Sequence, residues 1–84
     1  MVSPWAESYS AFVIEKLLGK RIADLRKAKG LTQEELATKS GYSVEFISLV
    51  ERGVNAPAVA GLERIAKVLK VEIKELFDFG KGVK

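Results

Sequence analysis

The sequence predicts a small all-α fold, a compact bundle of five helices. Apolar residues recur three and four positions apart along most of the chain, which is the spacing of one helix face. No segment shows the strict alternation of a half-buried strand, and no repeat of repeat-protein period occurs. With 84 residues the chain has the size of one domain. We divide it into residues 1–9, an N-terminal arm or an extra helical turn, residues 10–79, the helical domain, and residues 80–84, a flexible tail.

Composition narrows the possible functions. The chain has no cysteine and no histidine, so disulfides, thiolate ligands and the commonest general base are excluded. Glu34 and Glu35 are adjacent on a predicted helix and point apart, so they do not form a catalytic carboxylate pair. We predict a protein that is not an enzyme, with no catalytic residue, metal site, cofactor or small-molecule ligand. It shows no signal peptide and no apolar run of roughly 18 residues, so we expect a cytoplasmic location.

The first helix is predicted from about residue 10 to residue 29. Gly19 interrupts it and is expected to mark a close packing contact, since glycine weakens a helix interior. Gly30 follows where a left-handed residue commonly ends a helix. The apolar stripe of this helix consists of Val13, Leu17, Ile22 and Leu25.

Two short helices follow, each with its own start signal. Thr32 and Glu35 have the spacing of a capping box, which predicts a helix from residue 33 to about residue 39. Residues 40–42 then form a turn in which Gly41 is expected to take a positive φ. Ser43 is the expected N-cap of the third helix, residues 44–51.

The spacing of small and branched residues predicts that these two helices form a helix-turn-helix. Two helices joined by three residues cross steeply, so one side chain at the crossing must be small, and Ala37 fills that position. Gly41 lets the chain reverse, and Ile47 and Val50 are expected to pack between the helices.

The fourth helix is predicted at about residues 59–69 and the fifth at about residues 72–77. The C-terminal region carries more apolar surface than a terminal helix needs, and exposed apolar patches commonly mark interfaces. We predict a homodimer through these residues; the alternative is a monomer whose fifth helix is entirely core. The predicted dimer interface consists of Val71, Ile73, Leu76, Phe77 and Phe79.

The central and flanking motifs together resemble the XRE-type helix-turn-helix family, which includes Cro and the phage repressors. The most specific pieces are R-x3-G-LTQEELA, S-x2-ER-G and L-x2-IAKVL, and the likeness covers about residues 18–77. It implies a lambda-repressor-like domain and a dimeric, sequence-specific transcriptional regulator on a palindromic operator of double-stranded DNA. Among short chains, those it is similar to include restriction–modification controller proteins, antitoxins and small repressors.

The resemblance also implies roles for single residues. In the family, Gln33, Arg52 and Asn55 fall at phosphate contacts, and Arg26 and Glu51 form a structural ion pair between the first and third helices. The outward positions of the third helix, where the family reads bases, are Ser43, Val44, Glu45, Ser48 and Leu49. We call these five residues the reading face.

The reading face is poor in the side chains that usually recognise bases. It contains no Arg, Lys, Gln or Asn, the strongest readers of guanine and adenine. Val44 and Leu49 can contact thymine methyl groups, while Glu45 either accepts from cytosine N4 or remains a solvated charge. An acidic and apolar helix is also compatible with the alternative function, a protein-binding helix-turn-helix module such as an antitoxin.

The distribution of charge explains where DNA affinity must come from. Residues 31–55, which contain the motif, carry two basic and four acidic residues, although the whole chain has a net charge of +3. Phosphate attraction must therefore come from a basic rim around the third helix. The rim consists of Lys20, Arg21, Lys29, Lys39 and Arg52, of which we assign Lys39 and Arg52 to phosphate.

Overall fold

The computed structural model describes residues 11–80, and over that range the chain contains five helices and no strand. The helices are α1 (Ala11–Ala28), α2 (Gln33–Ser40), α3 (Val44–Glu51), α4 (Val59–Leu69) and α5 (Ile73–Leu76). The all-α, five-helix prediction is confirmed. The predicted arm, residues 1–9, and residues 81–84 of the predicted tail lie outside the described residues. None of the helices among residues 11–80 is long and apolar enough to cross a membrane.

The two helices of the helix-turn-helix, α2 and α3, begin at the capping residues predicted from the sequence. The Thr32 hydroxyl accepts from the Glu35 backbone N–H at 3.0 Å, and the Glu35 carboxylate accepts from the Thr32 N–H at 2.8 Å. Ser43 caps α3 by accepting from the Phe46 N–H at 3.1 Å. Gly41, with φ of 82°, ends α2 in the left-handed region. The starts of both helices are therefore confirmed, and α2 is one residue longer than predicted.

The core is built from buried side chains of all five helices, with α3 packed against both α1 and α2, and α4 packed against α2 and α5. Ala37 and Ile47 are both buried at the crossing of α2 and α3, as the motif requires. In α1 the stripe is shifted by one residue from the prediction, because Leu18 joins Ile22 in the core while Val13, Leu17 and Leu25 are half-buried. The buried apolar side chains of the described region are Leu18, Ile22, Leu36, Ala37, Ile47, Val50, Leu62, Ile65, Ala66, Leu69 and Leu76.

A glycine lets α1 approach the end of α3. A Cβ atom placed on Gly19 would lie 2.1 Å from the carbonyl oxygen of Val50 and 2.9 Å from that of Glu51. Real Cβ atoms do not come that close to backbone, so only glycine fits this crossing. The expected close contact at Gly19 is confirmed, and it sets the position of the C-terminal end of α3 against α1.

The helix α5 is shorter than predicted and closes the core. Glu72 and Phe77 are its caps, not its first and last turns. Arg21 of α1 ties it down by donating from Nε to the Glu75 carbonyl at 2.8 Å. Leu76 is fully buried within this chain. Its assignment to a dimer interface was wrong, because it has no surface to offer a partner.

Candidate nucleic-acid interface

The reading face lies on the side of α3 that points away from the core. Ser43, Val44 and Glu45 are exposed, while Ser48 and Leu49 are half-buried. On the opposite side of α3, Ile47 and Val50 are completely covered. The N-terminal half of α3 is therefore the part that a DNA groove can reach most easily, and the second half is partly shielded by the chain itself.

A buried polar cluster holds the C-terminal end of α3. Arg26 of α1 forms a two-pronged ion pair with Glu51, from Nε to Oε2 at 2.6 Å and from Nη2 to Oε1 at 3.0 Å. Gln33 of α2 donates from Nε2 to the same Glu51 Oε1 at 2.8 Å. Arg26 Nη1 also donates to the Leu31 carbonyl at 2.8 Å. These four bonds join α1, the connection to α2, α2 itself and α3, so they fix the angle at which α3 is presented.

The proposed phosphate contacts fall into two places. Gln33 is bound to Glu51, Arg52 is the C-cap of α3, and the Asn55 backbone N–H donates to the Leu49 carbonyl at 3.4 Å. These three residues gather at the C-terminal end of α3. Lys39 lies six residues beyond Gln33 along α2, a rise of about 9 Å. It lines an open groove of about 180 Å³ together with Lys29, Leu31, Val68 and Lys70.

Two members of the predicted basic rim are occupied inside the chain. Lys20 pairs with Asp24 at 3.1 Å on the surface of α1. Arg21 is half-buried, and its Nε is used by the Glu75 carbonyl. The charge of Lys20 is therefore partly offset by Asp24, and the Nε donor of Arg21 is no longer free to bind a phosphate.

One basic residue, Arg64, lies against the helix-turn-helix in the structure but was not among the residues predicted from the sequence. Arg64 of α4 donates from Nε to the Ser40 carbonyl at 2.9 Å, at the C-terminal end of α2. Its guanidinium carbon lies 5.0 Å from the centre of the Tyr42 ring, and that ring packs on Phe46 with centroids 4.7 Å apart. Twenty-two residues separate Arg64 from Tyr42 in sequence, so no local spacing signals the contact.

Among residues 11–80, no group of three or more side chains of the metal-binding types is arranged to hold an ion. The site therefore consists of the exposed face of α3 with hydrogen-bonding and cationic side chains near both ends of that helix.

Comparison with known proteins agrees with this geometry. The model of the family described as Helix-turn-helix, HTH_3, matches residues 22–76. The chain is similar to the HTH-type transcriptional regulator y4dJ of Sinorhizobium fredii, with 44% identity over 63 residues, 75% of this chain and 82% of that protein. The match spans a smaller share of two regulators of Bacillus subtilis, 41% of SlrR and 57% of SinR.

Solved structures show the same fold. The restriction–modification controller protein C.AhdI from Aeromonas hydrophila superposes with a TM-score of 0.78 and 35% identity, over 82% of this chain and 100% of that one. SinR, the master regulator for biofilm formation, in complex with DNA gives a TM-score of 0.69 and 37% identity, over 73% of this chain and 98% of that one. One enzyme, hydroxypropylphosphonic acid epoxidase from S. wedmorenis, also matches, over 34% of its chain at 25% identity.

Proposed function

Because this chain belongs to the helix-turn-helix family HTH_3, we propose that it is a sequence-specific DNA-binding transcriptional regulator, acting in the cytoplasm as a homodimer on a palindromic operator. The observation that carries the proposal is the presentation of α3. Its C-terminal end is fixed through Glu51 to α1 and α2, while Ser43, Val44 and Glu45 stand exposed at the other end. A base-reading helix needs both a fixed approach angle and a free face. The family and the regulators named above also argue against an enzymatic role.

The reading face determines the kind of operator that we propose. Val44, which is 37% exposed, matches a thymine methyl group in the major groove, and Glu45 matches the cytosine N4 amino group. The hydroxyls of Ser43 and Ser48 can each donate or accept a hydrogen bond, so they can contact either a donor or an acceptor on a base edge. Phosphate contacts through Gln33, Arg52, Asn55 and Lys39 then set the register of the protein on the duplex. In Gln33, the second amide N–H remains to bind a phosphate after the first has bound Glu51.

The homodimer is proposed through the outer surface of α5 and the residues beside it. Phe77 is 40% exposed and packs edge-on against half-buried Phe79 with ring centroids 6.1 Å apart. Val71 and Ile73 are also half-buried, so they add apolar area to the same terminal region. To read a palindrome, the two copies of α3 in such a dimer need to lie about 34 Å apart, one turn of DNA.

Light scattering at micromolar protein tests the dimer. We expect a mass of two chains for the wild type and of one chain for Phe77→Asp, because a carboxylate at the centre of the surface is not compatible with burial. Val59→Asp is the matched control, since Val59 is 76% exposed on another helix. A wild-type monomer at that concentration would contradict the dimer, and monomerisation by the control variant alone would move the interface to α4.

Selection of bound sites from a random duplex library tests DNA recognition. We expect two half-sites related by a dyad, with thymine and cytosine enriched opposite the reading face, and affinity that falls steeply with salt. A strong preference for guanine opposite Val44 or Glu45 would show that the reading face is wrongly assigned. If no duplex is bound at 50 mM salt, the protein-binding alternative is favoured, and the acidic, apolar exposure of Val44 and Glu45 is what supports it.

A further inference from the structure

The turn between α2 and α3 carries a guanidinium group that comes from α4. Arg64 is held there by two contacts, the hydrogen bond to the Ser40 carbonyl at 2.9 Å and the stacking over Tyr42 at 5.0 Å. Since the Tyr42 ring itself packs on Phe46 of α3, the position of the guanidinium is set relative to the reading helix. A Cβ atom on Gly41 would lie 4.0 Å from Arg64 Nε, so the group rests on the backbone of the turn.

Most of the hydrogen-bonding capacity of this group is unused within the described part of the chain. A guanidinium has five N–H donors. Only the Nε donor has an acceptor among residues 11–80, and no ion pair there involves Arg64. The residue is exposed, so its two Nη groups are accessible to an external acceptor. Stacking on Tyr42 and the hydrogen bond from Nε hold the planar guanidinium of Arg64 in one orientation. This lowers the entropic cost of binding an anion through its two Nη groups.

The helix-turn-helix itself is acidic, so a positive side chain beside it is needed to attract DNA phosphate. Residues 31–55 have two more acidic than basic residues, and Glu45 stands exposed on the reading face. Gln33, Arg52 and Asn55 serve the C-terminal end of α3, about 12 Å from its start, since the helix has eight residues. Arg64 is the basic side chain that the structure places against the turn leading into the N-terminal end.

We propose that Arg64 is a DNA-backbone contact, a phosphate clamp held ready by Ser40 and Tyr42 beside the N-terminal end of the reading helix. This inference rests on the proposed DNA-binding function and adds a residue to its site. Together with Gln33, Arg52 and Asn55, Arg64 places phosphate contacts at both ends of α3, so α3 is fixed in the groove from two sides. The phosphate bound by Arg64 is a different one from that bound by Gln33.

Salt-dependent binding of Arg64→Gln to the selected operator tests the proposal. The slope of log affinity against log salt is expected to fall by about 0.9, the value for one phosphate contact, and the affinity at low salt to fall by about tenfold. Arg64→Lys keeps the charge but not the fork, so it should keep the slope and lose several-fold in affinity. Lys27→Gln removes the same charge from an exposed site on α1 that takes part in none of the proposed contacts, and it should leave the slope within error.

The outcomes separate this inference from the function on which it rests. If the wild type binds no duplex, both fail. If the wild type binds and Arg64→Gln has an unchanged slope, the clamp is refuted while the regulator stands. A lower melting temperature with an unchanged slope would show that Arg64 only braces the turn. Should Arg64→Gln not fold, Arg64→Lys decides, and wild-type affinity in that variant overturns the proposal.

Discussion

Replacing Glu51 by glutamine should destabilise the fold severely, because Glu51 joins three helices through one carboxylate. The side chains of Arg26 and Glu51 are only 10% and 6% exposed, and both prongs of their ion pair are short. Gln33 depends on the same carboxylate oxygen. Glutamine has nearly the same shape but no charge, so the Arg26 guanidinium would remain buried without a counter-ion.

The size of the effect follows from burial. Breaking a buried ion pair by removing one partner costs about 3–5 kcal/mol. A chain of this length is stable by about 4–13 kcal/mol in total. Even at the lower bound of 3 kcal/mol, the melting temperature should fall by about 12–24 °C, since 1 kcal/mol corresponds to about 4–8 °C in a domain of this size.

Thermal and urea unfolding followed by circular dichroism measure the effect. Glu63→Gln is the matched control, because Glu63 is exposed on α4 and its replacement should stay within about 0.5 kcal/mol of the wild type. The double variant Arg26→Met with Glu51→Met should recover much of the loss, since well-packed apolar replacements of buried pairs are often neutral. A melting temperature for Glu51→Gln within about 2 °C of the wild type would refute the structural role of the pair.

Three further predictions concern α1, α2 and α4. Ala58 has the extended N-cap conformation of α4 but no capping side chain, so Ala58→Ser should add about 1 kcal/mol to the free energy of unfolding in urea; an unchanged midpoint would contradict this. Gly19→Ala should cost about 1–3 kcal/mol in the same assay, because its Cβ would meet the Val50 carbonyl at 2.1 Å, and a wild-type midpoint would disprove that contact. The backbone N–H of Thr32 lowers the pKa of the Glu35 carboxyl below its ordinary value of 4.5. Because the folded pKa is the lower one, this contribution to stability is present above pH 4.5 and is lost as the pH falls through the folded pKa; an NMR titration midpoint at or above 4.5 would count against it.

The parts of the fold that depend on neighbouring residues were predictable from the sequence. Thr32 and Glu35 are three residues apart, and Ser43 stands next to the helix it caps, so the starts of α2 and α3 follow from local chemistry. The extent of α5 was not predictable in this way. The apolar pattern in the sequence continues to Phe77, but the helix ends at Leu76, which is fully buried in the core.

The parts of the candidate site that depend on distant residues were predictable only when the family resemblance supplied them. The pairing of Arg26 with Glu51, 25 residues apart, came from the resemblance and is present in the structure. Arg64 has no such precedent in the motifs considered, and its contacts with Ser40 and Tyr42 appear only after α4 has packed on α2. Conversely, Arg21 looked like a surface charge in sequence, but it is used to hold α5.

In the proposed DNA complex, these contacts would compensate for a reading face that has no basic residues. Positive charge and amide donors are placed at the ends of α3, through Arg52 and Gln33 at one end and Arg64 at the other. Phosphate contacts carry most of the affinity and are insensitive to sequence. In the proposed complex, the first turn of α3 discriminates between bases in two ways. Val44 contacts thymine methyl groups, and Glu45 is repelled by phosphate wherever cytosine N4 does not compensate its charge. Such a division favours an operator defined by a few positions and by shape, with overall affinity governed by salt.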